Sequence, residues 1–154
     1  MINQDRLIKT FCDLVKIDSP SGQEEEISKD LNTRLTKLGF QVSLDSYGNL
    51  IASEGGHNPF MLSAHMDTVE PGTGIIPKVE SERIISTSKT ILGGDCKAGI
   101  SAILEALESL KEDSVERIPV EVVFTREEEL GLQGAANLDF SKINSKEAIV
   151  FDGE

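Results

Sequence analysis

Three consecutive carboxylates stand at residues 127–129, only two residues after the apolar run of residues 118–124, which is typical of a buried strand. Adjacent carboxylates at the end of a core strand repel one another, so the position needs a chemical reason. Other residues that can bind metals or protons stand just after apolar runs or in a glycine-rich loop before a helix: His65, Asp67, Asp95 and Asp152. Carboxylate oxygens and a neutral imidazole nitrogen are suitable ligands for zinc and related divalent ions.

The pattern of apolar residues predicts the elements that position these side chains. Helical spacing favours amphipathic helices over residues 7–15, 27–38 and 100–110, the second of them stopped by Gly39. Other apolar runs predict a two-stranded hairpin over residues 40–53 and single strands over residues 59–64, 118–124 and 147–151. These strands alternate with the predicted helices. This alternation predicts an α/β fold with a mostly parallel mixed sheet and helices on its faces.

In such a sheet, ligands bind beyond the carboxyl ends of the strands. The candidate residues stand at those ends, so parallel strands would gather them at one edge. Carboxylates and an imidazole that converge in this way are costly unless a cation holds them together. The sequence therefore favours a divalent metal site at this edge of the sheet.

Each candidate also has a simpler structural explanation. Asp67 and Asp152 suit turns, Asp95 could cap the helix that follows it, and the glutamate run could be a solvated loop. A lone histidine near a strand end, such as His65, is more often structural than a ligand. These explanations account less well for ligand-type residues at four strand or loop ends. His57, in the turn-like stretch of residues 54–59, is interpreted as a surface residue.

Composition excludes several classes of function. The chain has 154 residues, which suits one domain with a real core, and its net charge is −12. So acidic a surface argues against binding to nucleic acid or to an anionic membrane, but it permits cations. The two cysteines, Cys12 and Cys96, are far apart and favour a reduced, cytoplasmic setting. The first residues lack the apolar segment of a signal peptide, and no run is long enough to span a membrane.

Three ordered motifs resemble those of the co-catalytic metal exopeptidases that include peptidase T, carboxypeptidase G and aminoacylase. The stretch SAHMDTVEPGTGIIP resembles their His-x-Asp-Thr-Val block, and its extension is most similar to peptidase T-like members. LGGDCKAG resembles the Gly-x-Asp-Asp-Lys-x-Gly block, and TREEELG resembles the Glu-Glu-x-Gly block. The resemblance runs from the first helix to the last residue, and it implies the zinc-peptidase type of three-layer α/β fold.

The resemblance implies a role for each matching residue. His65, Asp95 and Asp152 would bind one metal ion, and Asp95 would bridge to a second ion held by Glu129. Asp67 would orient the imidazole of His65, and Glu128 would be the general base. Two divalent ions, expected to be zinc, would then activate a water molecule for amide hydrolysis. The implied substrate is a short peptide with a free amino terminus, such as a tripeptide.

Two departures from the family pattern qualify this interpretation. Cys96 replaces the second aspartate of the Asp-Asp block, where the family typically has a cis peptide bond after the bridging aspartate. Family members also continue into a lid and dimerisation domain and return to supply a last histidine ligand. The resemblance therefore implies that residues 1–154 are the N-terminal part of the catalytic domain, incomplete at its C-terminus and without the lid. A homodimer is expected only in a form with the lid, and this chain alone is expected to be weakly active or inactive.

Two alternatives to the peptidase remain open at this point. The same metal site would serve an amidohydrolase that removes acyl groups from N-acyl amino acids. From a different class, the chain could be a metal-binding or interaction fragment without catalytic activity.

Overall fold

The computed structural model describes residues 1–152. In this part of the chain the helices are α1 (Gln4–Val15), α2 (Glu25–Leu38), α3 (Gly94–Glu112) and α4 (Gln133–Ala136), with a 3₁₀ turn at Phe140–Lys142. The strands are β1 (Gln41–Leu44), β2 (Leu50–Ser53), β3 (Phe60–His65), β4 (Pro77–Val79), β5 (Ile84–Ser86), β6 (Val120–Thr125) and β7 (Ala148–Val150). From α3 onwards helices and strands alternate, as the apolar pattern predicts, whereas α1 and α2 are followed by five consecutive strands.

Five strands form one mixed sheet in the order β1-β2-β6-β3-β7, and β4 and β5 form a separate hairpin. β3 runs parallel to both of its neighbours, β6 and β7. β2 runs antiparallel to both β1 and β6. The predicted α/β fold with a mixed sheet is confirmed. Its parallel part consists of the three strands after which most of the candidate ligands come.

The main core lies between one face of this sheet and the three long helices. Because side chains alternate along a strand, Val120, Val122 and Phe124 of β6 face this core. The helices contribute buried residues to the same cluster: Leu14, Ile27, Leu31, Leu35, Ile100, Ile103, Leu104 and Leu107. On the opposite face of β6, Glu121 is fully buried, and its carboxylate accepts hydrogen bonds from Asn144 and Ser145. The connection between β6 and β7 therefore covers that face.

Local signals explain where several elements begin and end. α2 ends at Gly39, whose φ of 102° lies in the left-handed region that glycine adopts without strain. The predicted hairpin of β1 and β2 turns around Asp45, whose Oδ1 accepts backbone hydrogen bonds from Tyr47, Gly48 and Asn49. Gly48 has a φ of 100°, which the turn requires. These features fix the register of β1 and β2, and β2 in turn pairs with β6.

The first residues of α3 are not regular helix. Gly93 caps α3 with a φ of 70°, and Asp95 and Cys96 have non-helical backbone angles. The peptide bond between Asp95 and Cys96 is cis, so the bond typical of the family is present although Cys96 replaces the usual aspartate. The N-cap of α3 is Gly93, and the carboxylate of Asp95 bonds Nε2 of His65. The interpretation of Asp95 as a simple N-cap is therefore not supported.

A buried ion pair joins α1 to α3. Glu105 is 3% exposed, and its carboxylate lies 2.6 Å from Nε and 2.9 Å from Nη2 of Arg6. The backbone N–H of Asn3 and the hydroxyl of Ser109 also donate to Glu105. The Arg6 guanidinium is the largest cause of a Glu105 pKa of about 2, well below the ordinary value.

We expect this ion pair to make the free energy of unfolding depend on pH in the acid range. The folded-state pKa of Glu105 lies below the unfolded value, so its contribution is complete above the unfolded pKa and is lost as pH falls towards about 2. Its size is about 2–3 kcal/mol of unfolding free energy. Glu105→Gln should therefore lower stability at pH 7 but lose less stability between pH 5 and pH 3 than the unsubstituted chain, as measured by urea unfolding. Glu26→Gln, at an exposed carboxylate of α2, is the control and should leave the pH dependence unchanged. Parallel pH profiles for all three chains would contradict this expectation.

None of the helices in the described part of the chain is long and apolar enough to cross a membrane.

Candidate metal centre

The parallel strands bring the predicted residues to one edge of the sheet. His65 is the last residue of β3, and it stands beside Thr125, the last residue of β6. On the other side of β3, Ser63 pairs with Val150 of β7, so the chain reaches Asp152 at the level of His65. The loop before α3 places Asp95 at the same edge, where its Oδ1 is 2.9 Å from Nε2 of His65.

His65 is the centre of this arrangement. It is 2% exposed, and its Nδ1 lies 3.2 Å from Oδ1 of Asp67. Its Nε2 faces both Asp95 and Asp152, the latter at 3.8 Å. Burial disfavours the charged imidazole, but the hydrogen bonds to Asp67 and Asp95 outweigh this effect and raise the pKa of His65 to about 9. The carboxylates thus favour a positive charge at this position, which either a proton or a metal ion could supply.

Asp67 connects His65 to the glutamate run. Its side chain is fully buried, and Oδ1 accepts a hydrogen bond from the backbone N–H of Glu128 at 2.9 Å as well as facing His65. Oδ2 accepts from the hydroxyl of Ser21 at 2.7 Å and from the backbone N–H of Glu129 at 3.2 Å. Burial alone would raise the pKa of Asp67, but these bonds lower it to about 2. Asp67 is therefore an ionised anchor and more than a turn cap.

The donor atoms fall into two groups that share His65. One group consists of His65, Asp95, Cys96 and Asp152, and the other of His65, Glu128 and Glu129. Within each group the donor atoms lie within 4.8 Å of one another. Burial, and to a lesser extent the charges of Asp95 and Glu128, raise the pKa of Glu129. Such crowding of carboxylates around an imidazole fits a divalent cation, and the donor set is the one that zinc binds.

Glu127 has a different environment from its two neighbours. Its Oε2 accepts a hydrogen bond from the hydroxyl of Tyr47 at 2.5 Å, and its backbone adopts a φ of 49°. Its backbone N–H donates to the buried carboxylate of Glu24, which also binds Nε of Arg126 at 2.7 Å. The turn after β6 is thus held in place by α2. The glutamate run is half-buried and is not a solvated loop.

Several of these supporting residues are not found by sequence reasoning. Ser21, Glu24, Tyr47 and Arg126 are separated from their partners by 46 to 103 positions along the chain. No local pattern marks such contacts. His57 is exposed in its turn, as the sequence predicts, and it does not belong to either group of donor atoms.

Cys96 is buried next to the other candidate donor atoms of the first group. Its thiol donates a hydrogen bond to the backbone carbonyl of Phe151. Burial is the main cause of the raised pKa of this thiol, which is about 11, and a backbone hydrogen bond from His65 opposes the rise. In the absence of a metal ion the thiol is therefore protonated at neutral pH.

Comparison with known proteins identifies the family. The model of peptidase family M20/M25/M40 matches residues 61–149, which include His65, Asp95 and Glu128. The chain belongs to peptidase family M20/M25/M40. It is therefore a member of a hydrolase family, as the three motifs imply.

Solved structures agree with this assignment to the M20 family. A tripeptidase from Staphylococcus aureus is 34% identical and superposes with a TM-score of 0.95 over 100% of this chain and 44% of its own. An aminopeptidase, PepT, from Bacillus cereus is 38% identical, with a TM-score of 0.94 over 99% of this chain and 44% of its own. An uncharacterized protein of Bacillus subtilis, YqjE, is 38% identical over 100% of this chain and 44% of its own length. The M20 chain described here thus spans less than half the length of these relatives.

Proposed function

We propose that this chain supplies the metal-binding catalytic residues of a peptidase T-like aminopeptidase that hydrolyses tripeptides and other short peptides. The observation that carries the proposal is the convergence of His65, Asp95, Asp152 and the pair Glu128–Glu129 at one edge of the sheet. The likeness to a tripeptidase and to an aminopeptidase, each over nearly the whole of this chain, supports the substrate class.

We assign the ligands from the motifs and from the donor geometry together. His65, Asp95 and Asp152 would hold one divalent ion, with zinc as the expected metal, and Asp95 and Glu129 would hold a second. When bound, the ions would lower the pKa of a water molecule and polarise the peptide carbonyl. The bond between His65 Nδ1 and Asp67 suits this role, because a proton on Nδ1 leaves the lone pair of Nε2 free for a metal.

The proton transfers are assigned to Glu128. Its half-buried carboxylate lies within 4.8 Å of a ring nitrogen of His65 and of the Glu129 carboxylate. Glu128 would take a proton from the attacking water and later donate it to the leaving amine. Asp67 positions Glu128 relative to His65. A single oxygen of Asp67, Oδ1, accepts a hydrogen bond from the backbone N–H of Glu128 and also bonds the His65 ring.

Product analysis tests the proposed substrate class. A polypeptide that contains this segment is incubated with zinc and with a panel of tripeptides, dipeptides and N-acyl amino acids. Release of the N-terminal residue from tripeptides is the expected result. If free amino acids are released from the N-acyl compounds but not from the peptides, the site instead belongs to an amidohydrolase. If zinc binds but neither the peptides nor the N-acyl amino acids are hydrolysed, the result would support the alternative of a metal-binding fragment without catalytic activity.

A zinc titration of this chain tests the ligand assignment. The first site has three assigned ligands, His65, Asp95 and Asp152, whereas the second has only Asp95 and Glu129. Zinc catalytic sites usually have three protein ligands, so we expect one tightly bound zinc per chain and a second that binds weakly or not at all. Isothermal calorimetry measures both affinities, and Glu129→Gln should affect only the weaker one. Two equally tight zinc ions per chain would contradict the assignment.

A further inference from the structure

We propose that the thiolate of Cys96 is a fourth protein ligand of the first metal site. The proposal rests on the metal binding in the proposed function, and it concerns the residue at which the chain departs from the Asp-Asp pattern. Cys96 is 2% exposed, next to the proposed bridging ligand Asp95, and its sulfur belongs to the same donor group as His65 and Asp152.

The distances fit a tetrahedral site after small shifts. With zinc bonds of about 2.0–2.1 Å to nitrogen and oxygen and about 2.3 Å to sulfur, tetrahedral donors lie roughly 3.3–3.6 Å apart. The distances from His65 Nε2 are 2.9 Å to Asp95 and 3.8 Å to Asp152, on either side of this range. The Cys96 sulfur lies within 4.8 Å of one donor atom of each of these three residues. Rotation of side chains, without movement of the sheet, could bring the four donors around one ion.

Binding changes one bond of the thiol. The S–H group now donates to the carbonyl oxygen of Phe151. On metal binding, the thiol proton passes to solvent, the hydrogen bond to Phe151 is lost, and the sulfur lone pair forms the bond to the metal. No electrons are exchanged, so the step needs no oxidant or reductant.

A sulfur ligand would change what this site binds. Thiolates favour zinc and other soft ions, whereas sites made only of carboxylates and water suit magnesium and manganese. Four protein ligands would also fill a tetrahedral first site, as in structural zinc sites, so its ion would reach the water only by expanding to five-coordination. It would hold His65, Asp95, Cys96 and Asp152 together, whereas the second ion, near Glu128 and Glu129, would keep open positions for the water.

Cobalt(II) provides a direct test, because a cobalt–thiolate bond produces a charge-transfer band in the near ultraviolet that oxygen and nitrogen ligands do not. The chain is titrated with cobalt in two forms, unsubstituted and Cys12→Ala, and bound cobalt is measured by equilibrium dialysis. In Cys12→Ala the only remaining thiol is Cys96. We expect the band to appear in both forms and to saturate at one cobalt per chain.

Two further variants separate the sulfur from the rest of the site. Cys96→Ser should lose the band and bind zinc at least about tenfold more weakly. Cys96→Asp, which restores the family pattern, should bind cobalt without the band and should retain manganese better than the unsubstituted chain does in competition with zinc.

The outcomes distinguish this proposal from the proposed function. Bound cobalt without a thiolate band in Cys12→Ala would overturn the role of Cys96 and leave the metal site intact. No bound cobalt in either form would overturn the metal site and with it the role of Cys96. Because the band is measured with Cys96 present, the test does not depend on whether the Cys96 variants fold.

Discussion

Replacement of Glu128 by glutamine is expected to lower the rate of peptide hydrolysis by about 10²–10⁴-fold, the usual effect of losing a general base. Glutamine has nearly the same shape but cannot accept the proton of the attacking water. The backbone bond from Glu128 to Asp67 remains, so the turn and the neighbouring ligands should keep their places. The measurement is kcat/KM for a tripeptide, in a polypeptide that contains this segment and hydrolyses peptides, together with zinc binding by calorimetry.

Glu127→Gln is the matched control for this experiment. The carboxylate of Glu127 accepts the hydroxyl of Tyr47 and does not belong to either donor group. Its loss should therefore change kcat/KM much less than the loss of Glu128. An inactive Glu127→Gln beside an active Glu128→Gln would show that the motif is aligned one residue out of place.

Replacement of Asp67 by asparagine is expected to damage both stability and the site. The buried carboxylate faces four donors, in His65, Ser21, Glu128 and Glu129. Asparagine keeps one oxygen and turns an NH₂ group towards the backbone N–H of Glu129 or Glu128, which leaves a buried donor without an acceptor. We expect the unfolding free energy to fall by about 2–4 kcal/mol. Zinc affinity should fall about 10–100-fold, because His65 loses the group that orients its ring.

Ser21→Ala is the control for Asp67, because it removes a single donor to the same carboxylate. It should cost about 1 kcal/mol and leave zinc affinity almost unchanged. Urea unfolding at pH 7 measures the stability of both variants in the metal-free chain, and calorimetry measures zinc binding. If Asp67→Asn is as stable as the unsubstituted chain and binds zinc as tightly, Asp67 is not the anchor described here.

The sequence predicts the candidate site better than it predicts the order of the sheet. Short apolar runs before His65, residues 127–129 and Asp152 are enough to infer parallel strands with candidate ligands at one edge, because that inference needs only the direction of each strand. The place of β6 between β2 and β3, and of β7 beside β3, depends on pairing between distant segments. A single sequence does not encode such pairing in any local pattern.

The supporting contacts are unpredictable for a related reason. A buried Glu24 looks in the sequence like any polar residue at the start of a helix, and only the fold shows that it holds Arg126 and the turn after β6. Ser21 lies in a turn-like stretch that predicts the end of a helix and nothing about Asp67. The candidate ligands are recognisable in the sequence from their residue types, whereas the contacts that hold them in place form only across the fold.

The position of β3 in the sheet has a consequence for how the chain is synthesised. Both strands that flank β3 come later in the sequence, β6 at Val120–Thr125 and β7 at Ala148–Val150. While the ribosome adds the intervening residues, the backbone of Phe60–His65 has neither of its partner strands, and its edges are open to other chains. His65 acquires its neighbours only when this late pairing takes place. The residues of the proposed metal site therefore come together only after β7 has been synthesised, and we expect metal binding to follow this strand assembly.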